Sequence, residues 1–256
     1  MDPWFVVLGL VVGTLVGMTG VGAGSLVTPA LALSGVPPAV AVGTDLAYAA
    51  VSKSFGALVH GLQKTLDLQL AGRLAMGSVP AAAVTIGVLA ATGVHARSGF
   101  ITLALAMALI LTALALLVGR ARVAALAARY EQRLAPLRGT LTVAAGAVLG
   151  VLVTVSSVGA GALGAVLLVA LYPNLPTARI AGVDIAHAVP LTLVAGLGHL
   201  WLGTVNFALV ANLLLGSVPG IVAGSLLAGG LPDALVRRLL ALVLLYAGGR
   251  LAFASL

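Results

Sequence analysis

Val21-Gly22-Ala23-Gly24 and Val158-Gly159-Ala160-Gly161 are one string written twice, 137 residues apart (21 to 158). Downstream of each copy the likeness continues. Gly43-Thr44-Asp45 returns as Gly182-Val183-Asp184, His60 as His199, and Gly77-Ser78-Val79-Pro80 as Gly216-Ser217-Val218-Pro219, all at an offset of 139 residues (43 to 182). Motifs that recur in the same order and spacing mean two halves built to one plan. We bound them at 1–119 and 139–256, with a basic linker over 120–138. Two apolar halves, each with an interrupted segment, are the sequence mark of a secondary transporter.

The composition places this plan in a membrane. Hydrophobic residues make up 61% of the chain and charged ones 7%, far from the mix of a soluble domain. Uncharged runs such as Ser98–Val118 and Gly139–Val155 approach the ~20 residues that cross a bilayer. Lys and Arg outnumber Asp and Glu by 13 to 6, but the excess lies in loops. That reads as orientation in the membrane and contact with lipid, with no nucleic-acid partner. The start, Met1-Asp2-Pro3-Trp4, lacks a basic region, so no cleaved secretory signal is expected. The absence of cysteine removes disulfides and thiolate metal sites. No metal or cofactor is expected.

The pattern predicts an all-helical integral membrane protein of 8–10 nominal spans, with five apolar segments per half. They run 4–19, 24–34, 40–62, 68–92 and 98–119, then 140–156, 162–172, 179–202, 206–230 and 234–253. Segments 24–34 and 162–172 hold 11 residues each, about half the hydrocarbon thickness at 1.5 Å per residue. Each therefore forms a re-entrant hairpin with the segment before it, broken at the glycines. If the amino terminus is outside and each hairpin returns to its starting side, 10 basic residues lie inside and only Arg97 and Arg250 outside, with Lys53 within a span. Counting each hairpin as one crossing gives eight inside and four outside. Basic residues gather on the cytoplasmic side, so the first topology is preferred. The linker is then cytoplasmic, and the halves are inverted relative to one another. For the linker itself two readings stand: a surface helix on anionic headgroups, or a plain connecting helix.

The two hairpin tips read Gly17-Met18-Thr19-Gly20-Val21-Gly22-Ala23-Gly24-Ser25 and Ser156-Ser157-Val158-Gly159-Ala160-Gly161. No βαβ unit surrounds either, so they are not dinucleotide fingerprints. Glycine and serine at a helix break let the backbone leave helical geometry. They also leave free N–H groups at the start of the next short helix, where the dipole favours an anion. The plainer reading is close helix packing through small residues. Thr19, Ser25, Ser156 and Ser157 add hydroxyls to the candidate anion site.

Ionisable residues within membrane segments carry the next signal, because each is costly to bury. The first half has Asp45, Lys53 and His60 on one segment, and the second has Asp184, His187 and His199. Lys53 and His60 are seven apart and share a helical face, as do Asp184 and His187, three apart. We read Lys53 as attracting the anion and His60 and His199 as binding it or carrying protons. Asp45, Asp184 and His187 are candidates for proton coupling. The structural alternatives are that the aspartates cap helix starts, the histidines only hydrogen-bond, and Lys53 is paired to Asp45 or Asp184. Lys53 has Thr192 in the matching place. Trp4 and Trp201 read as interface anchors, and Thr65/Asp67 and Thr204/Asn206 as caps.

The glycine tips before short helices, Pro29 in the first of them, the downstream aspartates and the closing Gly-Ser-Val-Pro resemble the sulfite exporter TauE/SafE family of permeases (TSUP). The likeness covers about residues 5–253, the linker excepted. It implies movement of a small sulfur-containing anion, such as sulfite, sulfoacetate or another organosulfonate, across the cytoplasmic membrane. The family's substrate motifs carry over onto Gly20, Gly22, Gly24, Gly159 and Gly161. The chain departs from the usual triple glycine at Ala23 and Ala160, and has Val166 where Pro29 would recur. Beside this stand a passive anion channel, a carrier for small carboxylates, and an intramembrane hydrolase using Asp45 and Asp184 as a dyad. The dyad is disfavoured, because both aspartates follow span starts that lie on opposite sides of the membrane. The expected function is therefore not enzymatic.

Overall fold

The computed structural model describes residues 2–19, 24–62, 64–93, 98–227 and 233–254. The helices are α1 (Pro3–Thr19), α2 (Gly24–Leu33), α3 (Pro38–Leu62), α4 (Leu68–Thr92), α5 (Ser98–Val118), α6 (Arg120–Arg129), α7 (Glu131–Leu134), α8 (Arg138–Ser156), α9 (Ala162–Leu171), α10 (Thr177–Trp201), α11 (Phe207–Leu227) and α12 (Asp233–Ala254). A 3-10 turn, Ala135–Leu137, joins α7 to α8. Among the described residues there is no strand. Both short segments are helices of 10 residues, α2 and α9, as the apolar lengths require.

Among the described residues five helical stretches are long and apolar enough to cross a membrane: Leu68–Thr92, Gly99–Val118, Glu131–Ser156, Thr177–Trp201 and Phe207–Gly224. Large apolar side chains also face outward: Phe55, Leu58, Met76, Leu197, Phe207 and Phe253 are each more than 60% exposed. An aqueous protein covers such patches, whereas a lipid-facing one displays them. Trp4 and Trp201 are exposed near helix ends, as interface anchors would be.

The first helix of each half packs on the fourth helix of the other. α1 lies along α11, and α8 along α4; α3 pairs with α10, and α5 with α12. The close contacts repeat residue by residue. A side chain on Gly9 would strike the Leu213 backbone, and one on Gly146 would strike that of Leu74. Gly216 is closed in the same way by Val6, and Gly77 by Val143. In lipid, where no hydrophobic force draws helices together, such backbone approach supplies the packing energy. The same contacts thus recur at corresponding positions of the two halves, in both directions.

Two local expectations are refined. Asp67 and Asn206 cap their helices, accepting from Leu70 N at 3.0 Å and Leu209 N at 3.1 Å. Thr65 and Thr204 are not caps: their hydroxyls turn back to the preceding helix ends, at His60 and His199. The linker is more than a connection, since Val123 and Ala124 pack into the apolar cluster that includes Leu168 and Val169 of α9. Glu131 pairs with Arg138 at 2.8 Å and accepts from Asn174 at 3.0 Å. Arg138 also stacks over Tyr172, 5.7 Å from the ring centre. The linker is thus fastened to the far end of the half-length helix.

Candidate functional site

The second hairpin tip is held open by backbone that an ordinary residue resists. Ser157 ends α8 at φ 58°, and Gly159 and Gly161 follow at φ 129° and 133°. Glycine has no Cβ to clash there, which accounts for its recurrence in this string. The turn presents the Ala160 carbonyl inward, where Lys53 donates to it at 2.9 Å from α3. Lys53 is 9% exposed and makes no direct ion pair among the described residues. Its ammonium is within Coulombic reach of both Asp184 and Asp45.

Each aspartate lies against the half-length helix of its own half. Thr28 of α2 donates a short hydrogen bond to Asp45 Oδ2, and Ser157 lies beside the same carboxylate. The Gly161 N–H at the start of α9 points at the Asp184 carboxylate. Asp184 Oδ1 rests on Gly164, where any side chain would collide with it. The anion that α9 faces in this structure is therefore the protein's own carboxylate, held where a helix N-terminus favours negative charge. Asp45 Oδ1 and Asp184 Oδ1 are buried without hydrogen-bond partners.

Neither aspartate sits at the very start of its span. Each is the eighth residue of a 25-residue helix, so each lies about 10 Å along its axis rather than at its end. Helices α3 and α10 pack against one another, and Lys53 lies within electrostatic range of both carboxylates without an ion pair to either among the described residues. His187 joins them: its Nε2 is 2.9 Å from Ser78 Oγ on α4, and Lys53 acts on it too. Ser156 is buried, its hydroxyl donating to Leu152 O at 2.6 Å.

His60 and His199 stand elsewhere. Each is near the last turn of its helix, with Nδ1 on the following threonine, Thr65 at 2.7 Å and Thr204 at 2.8 Å. His199 Nε2 meets Thr154 O at 2.8 Å, so both its ring nitrogens are engaged within the protein. His60 and Lys53, placed on one face by spacing, are separated by about 10 Å along α3. In the first tip Thr19 ends α1, and Gly24 and Ser25 begin α2; Gly20 and Gly22 lie outside the described residues.

Four further polar residues enter the site without having been singled out as site residues: Thr28, Tyr48, Ser78 and Ser217. Ser78 and Ser217 stood inside the repeated Gly-Ser-Val-Pro, where glycine and proline drew the reading. Tyr48 is the counterpart of His187 at the 139-residue offset (48 to 187); only that alignment could have flagged it.

The chain matches the sequence profile of the family described as "Sulfite exporter TauE/SafE" over residues 5–251. It is 39% identical over 219 residues to the "Probable membrane transporter protein YjnA" of Bacillus subtilis (strain 168), covering 84% of this chain and 85% of that protein. No solved structure matches it at a significant level.

Proposed function

The chain belongs to the sulfite exporter TauE/SafE family of membrane transporters, and from that premise we propose that it carries a small sulfur oxyanion across the cytoplasmic membrane together with protons. Sulfite, sulfoacetate and other short organosulfonates are the substrates in view. The observation that carries the reading is Lys53, a buried ammonium bonded to the glycine-rich tip and within reach of two buried carboxylates.

The charge count argues for the proton. With all three groups ionised the cluster bears one net negative charge and repels an anion, at low dielectric and short range. One proton on a carboxylate brings it to neutrality, and two leave the ammonium uncompensated. Anion and proton therefore bind together more readily than the anion alone. The remaining elements follow from this. Asp45, Asp184 and His187 are the proton-handling groups. Lys53, Ser157, Gly159 and Gly161 form the anion side, with the first tip, Thr19 to Ser25, as its counterpart. The repeats 1–119 and 139–256 move against one another about this midplane cluster, in inverted orientation, with the amino terminus outside and linker 120–138 cytoplasmic. The exchanged helix pairs and the arginine distribution support that arrangement.

Purified protein in liposomes tests it. Labelled sulfite, sulfate, a short organosulfonate and a short carboxylate are offered with and without an inward proton gradient. Saturable uptake of a sulfur anion, concentrated by the gradient, is expected. Gradient-independent, non-concentrative flux would make the protein a channel. Preference for the carboxylate would change the substrate class, and no uptake by folded protein would sink the reading.

A further inference from the structure

The linker 120–138 carries five arginines and a single acid, Glu131, and its two faces differ. One face is used by the protein itself. Val123 and Ala124 join the apolar cluster on α9, and Ala127 is buried. On the other face Arg122, Leu126 and Arg129 follow at spacings of four and three residues, so they share one side of α6. All three are exposed, and so are Tyr130, Arg133 and Leu137 beyond them. A helix with both faces explained needs no partner; this one presents arginine and leucine together to its surroundings.

Where α6 gives way to α7 and α8 the chain bends around a hollow of about 640 Å³. Arg129, Arg133 and Arg138 line it, with Gln132, Glu131 and two alanines. The acid does not oppose an anion there, because its carboxylate accepts from Arg138 at 2.8 Å and from Asn174 at 3.0 Å. Three arginines against one glutamate leave the lining at a net charge of +2 (3 − 1). Arg129 and Arg133 make no ion pair among the described residues. A guanidinium grips a phosphate through two parallel N–H···O bonds, so two such groups at one hollow suit a phosphodiester. A dissolved anion would need only these charges. Leu126, Tyr130 and Leu137, each at least 50% exposed, call for an apolar phase beside them. Leu117 and Val118, where α5 meets the linker, are exposed too, so the lipid-facing surface of α5 runs on to the linker. The arginine distribution puts this side in the cytoplasm, where the leaflet carries anionic lipid.

We propose that the outer face of the linker is a binding site for an anionic phospholipid: Arg129 and Arg133 hold the phosphate at the hollow, Arg122 adds charge, and Leu126, Tyr130 and Leu137 lie against the upper acyl chains. The bound lipid also bears on transport. The opposite face of the same short helix packs on α9, whose first N–H points at Asp184. Arg120, at the start of α6, acts on that carboxylate as well. A lipid that fixes α6 therefore fixes the half-length helix beneath it. This second step rests on the transport reading above, whereas the binding site does not.

The melting temperature of the full chain in neutral detergent tests the site. It is read against added short-chain phosphatidylglycerol, phosphatidylcholine of the same chains, and glycerol phosphate. Phosphatidylglycerol raises Tm saturably and the other two do not. Arg129→Gln combined with Arg133→Gln melts with the wild type in the absence of lipid. It needs about thirtyfold more phosphatidylglycerol for the same gain, the scale of two arginines at an anionic surface. Gln132→Glu, which brings a negative charge into the hollow, weakens the response in the same direction, and so does Leu126→Ser combined with Leu137→Ser. Equal stabilisation by glycerol phosphate would make this a site for a dissolved anion. Equal stabilisation by phosphatidylcholine would remove the role of charge. Either result overturns the proposal, as does an unaltered response in the arginine pair. Uptake into phosphatidylcholine vesicles with and without phosphatidylglycerol reads the coupling to α9. Wild type is several-fold faster with the anionic lipid, while the arginine pair matches wild type in phosphatidylcholine and gains nothing from phosphatidylglycerol. A wild-type rate indifferent to the lipid overturns the coupling. Lipid bound as expected by a protein that moves no anion leaves the site standing and sinks the transport reading.

Discussion

An ammonium buried as deeply as that of Lys53 is costly to place in a membrane core, about 2.5–3.5 kcal/mol on insertion scales, and the second half dispenses with it. Thr192, in the matching place, donates to its own helix at Ala188 O, 2.8 Å. Lys53→Met keeps the length of the side chain and removes the charge. It is expected to cut transport at least a hundredfold while raising thermal stability in detergent, because two carboxylates can then protonate freely; uptake and a melting curve measure the two effects. Gly164 offers a second test. Its Cα supports Asp184 Oδ1, so Gly164→Ala must displace the carboxylate, and we expect transport to fall with little change in expression. His60 and His199 are read from structure as tying a helix end to the next turn. His199→Ala should cost about 1–3 kcal/mol, the range for breaking a buried hydrogen-bonded group, and leave the KM of the remaining folded protein unchanged. A raised KM at full stability would return His199 to the binding site.

At the scale of elements, the helix pairs α1–α11 and α4–α8 are set by glycines whose neighbours are backbone atoms that cannot move aside. Gly77→Val and Gly216→Val, equivalent changes in the two pairs, should each destabilise by about 1–3 kcal/mol or more through overpacking. Unequal losses would mean that the two pairs are not energetically equivalent. The linker offers a pH-dependent element. Hydrogen bonds from Arg138 and Asn174 hold the Glu131 carboxyl below its usual range. Its contribution to docking is therefore present at neutral pH and lost as pH falls through that lowered range. The pair is partly exposed, so Glu131→Gln should shift stability only slightly. The ten helical segments within the two halves were legible in the sequence to within a few residues, because apolar run length and glycine breaks fix them. The docking of the linker on α9 was not, since Val123 and Ala124 do not show in the sequence which surface they cover.

At the scale of the molecule, orientation is open to direct measurement, because the chain has no cysteine and single-cysteine variants report cleanly. Arg129→Cys should be labelled by an impermeant thiol reagent only from the cytoplasmic side, and Asp2→Cys only from outside. Opposite labelling of either would overturn the inverted topology. The charge count gives a pH test of the same reading. Protons on the carboxylates admit the anion, so its apparent affinity should strengthen as pH falls on the loading side, and reading KM against pH checks the sign.

Membrane residence, all-helical class, the duplicated plan and the half-length helices were written in the sequence, because each depends on composition, run length or repetition along the chain. So was the list of buried charges, since an ionisable residue in an apolar run is conspicuous wherever it ends up. Which of them meet was decided by the tertiary structure alone. Asp45 and Asp184 lie on different helices, and only the packing of α3 on α10 sets both within electrostatic range of Lys53. The tertiary structure also shows His60 and His199 in the last turns of α3 and α10, each bonded to the threonine that follows. Ser78 became visible for the same reason: a hydroxyl in an apolar segment is unremarkable until the fold shows that it meets a buried histidine, His187.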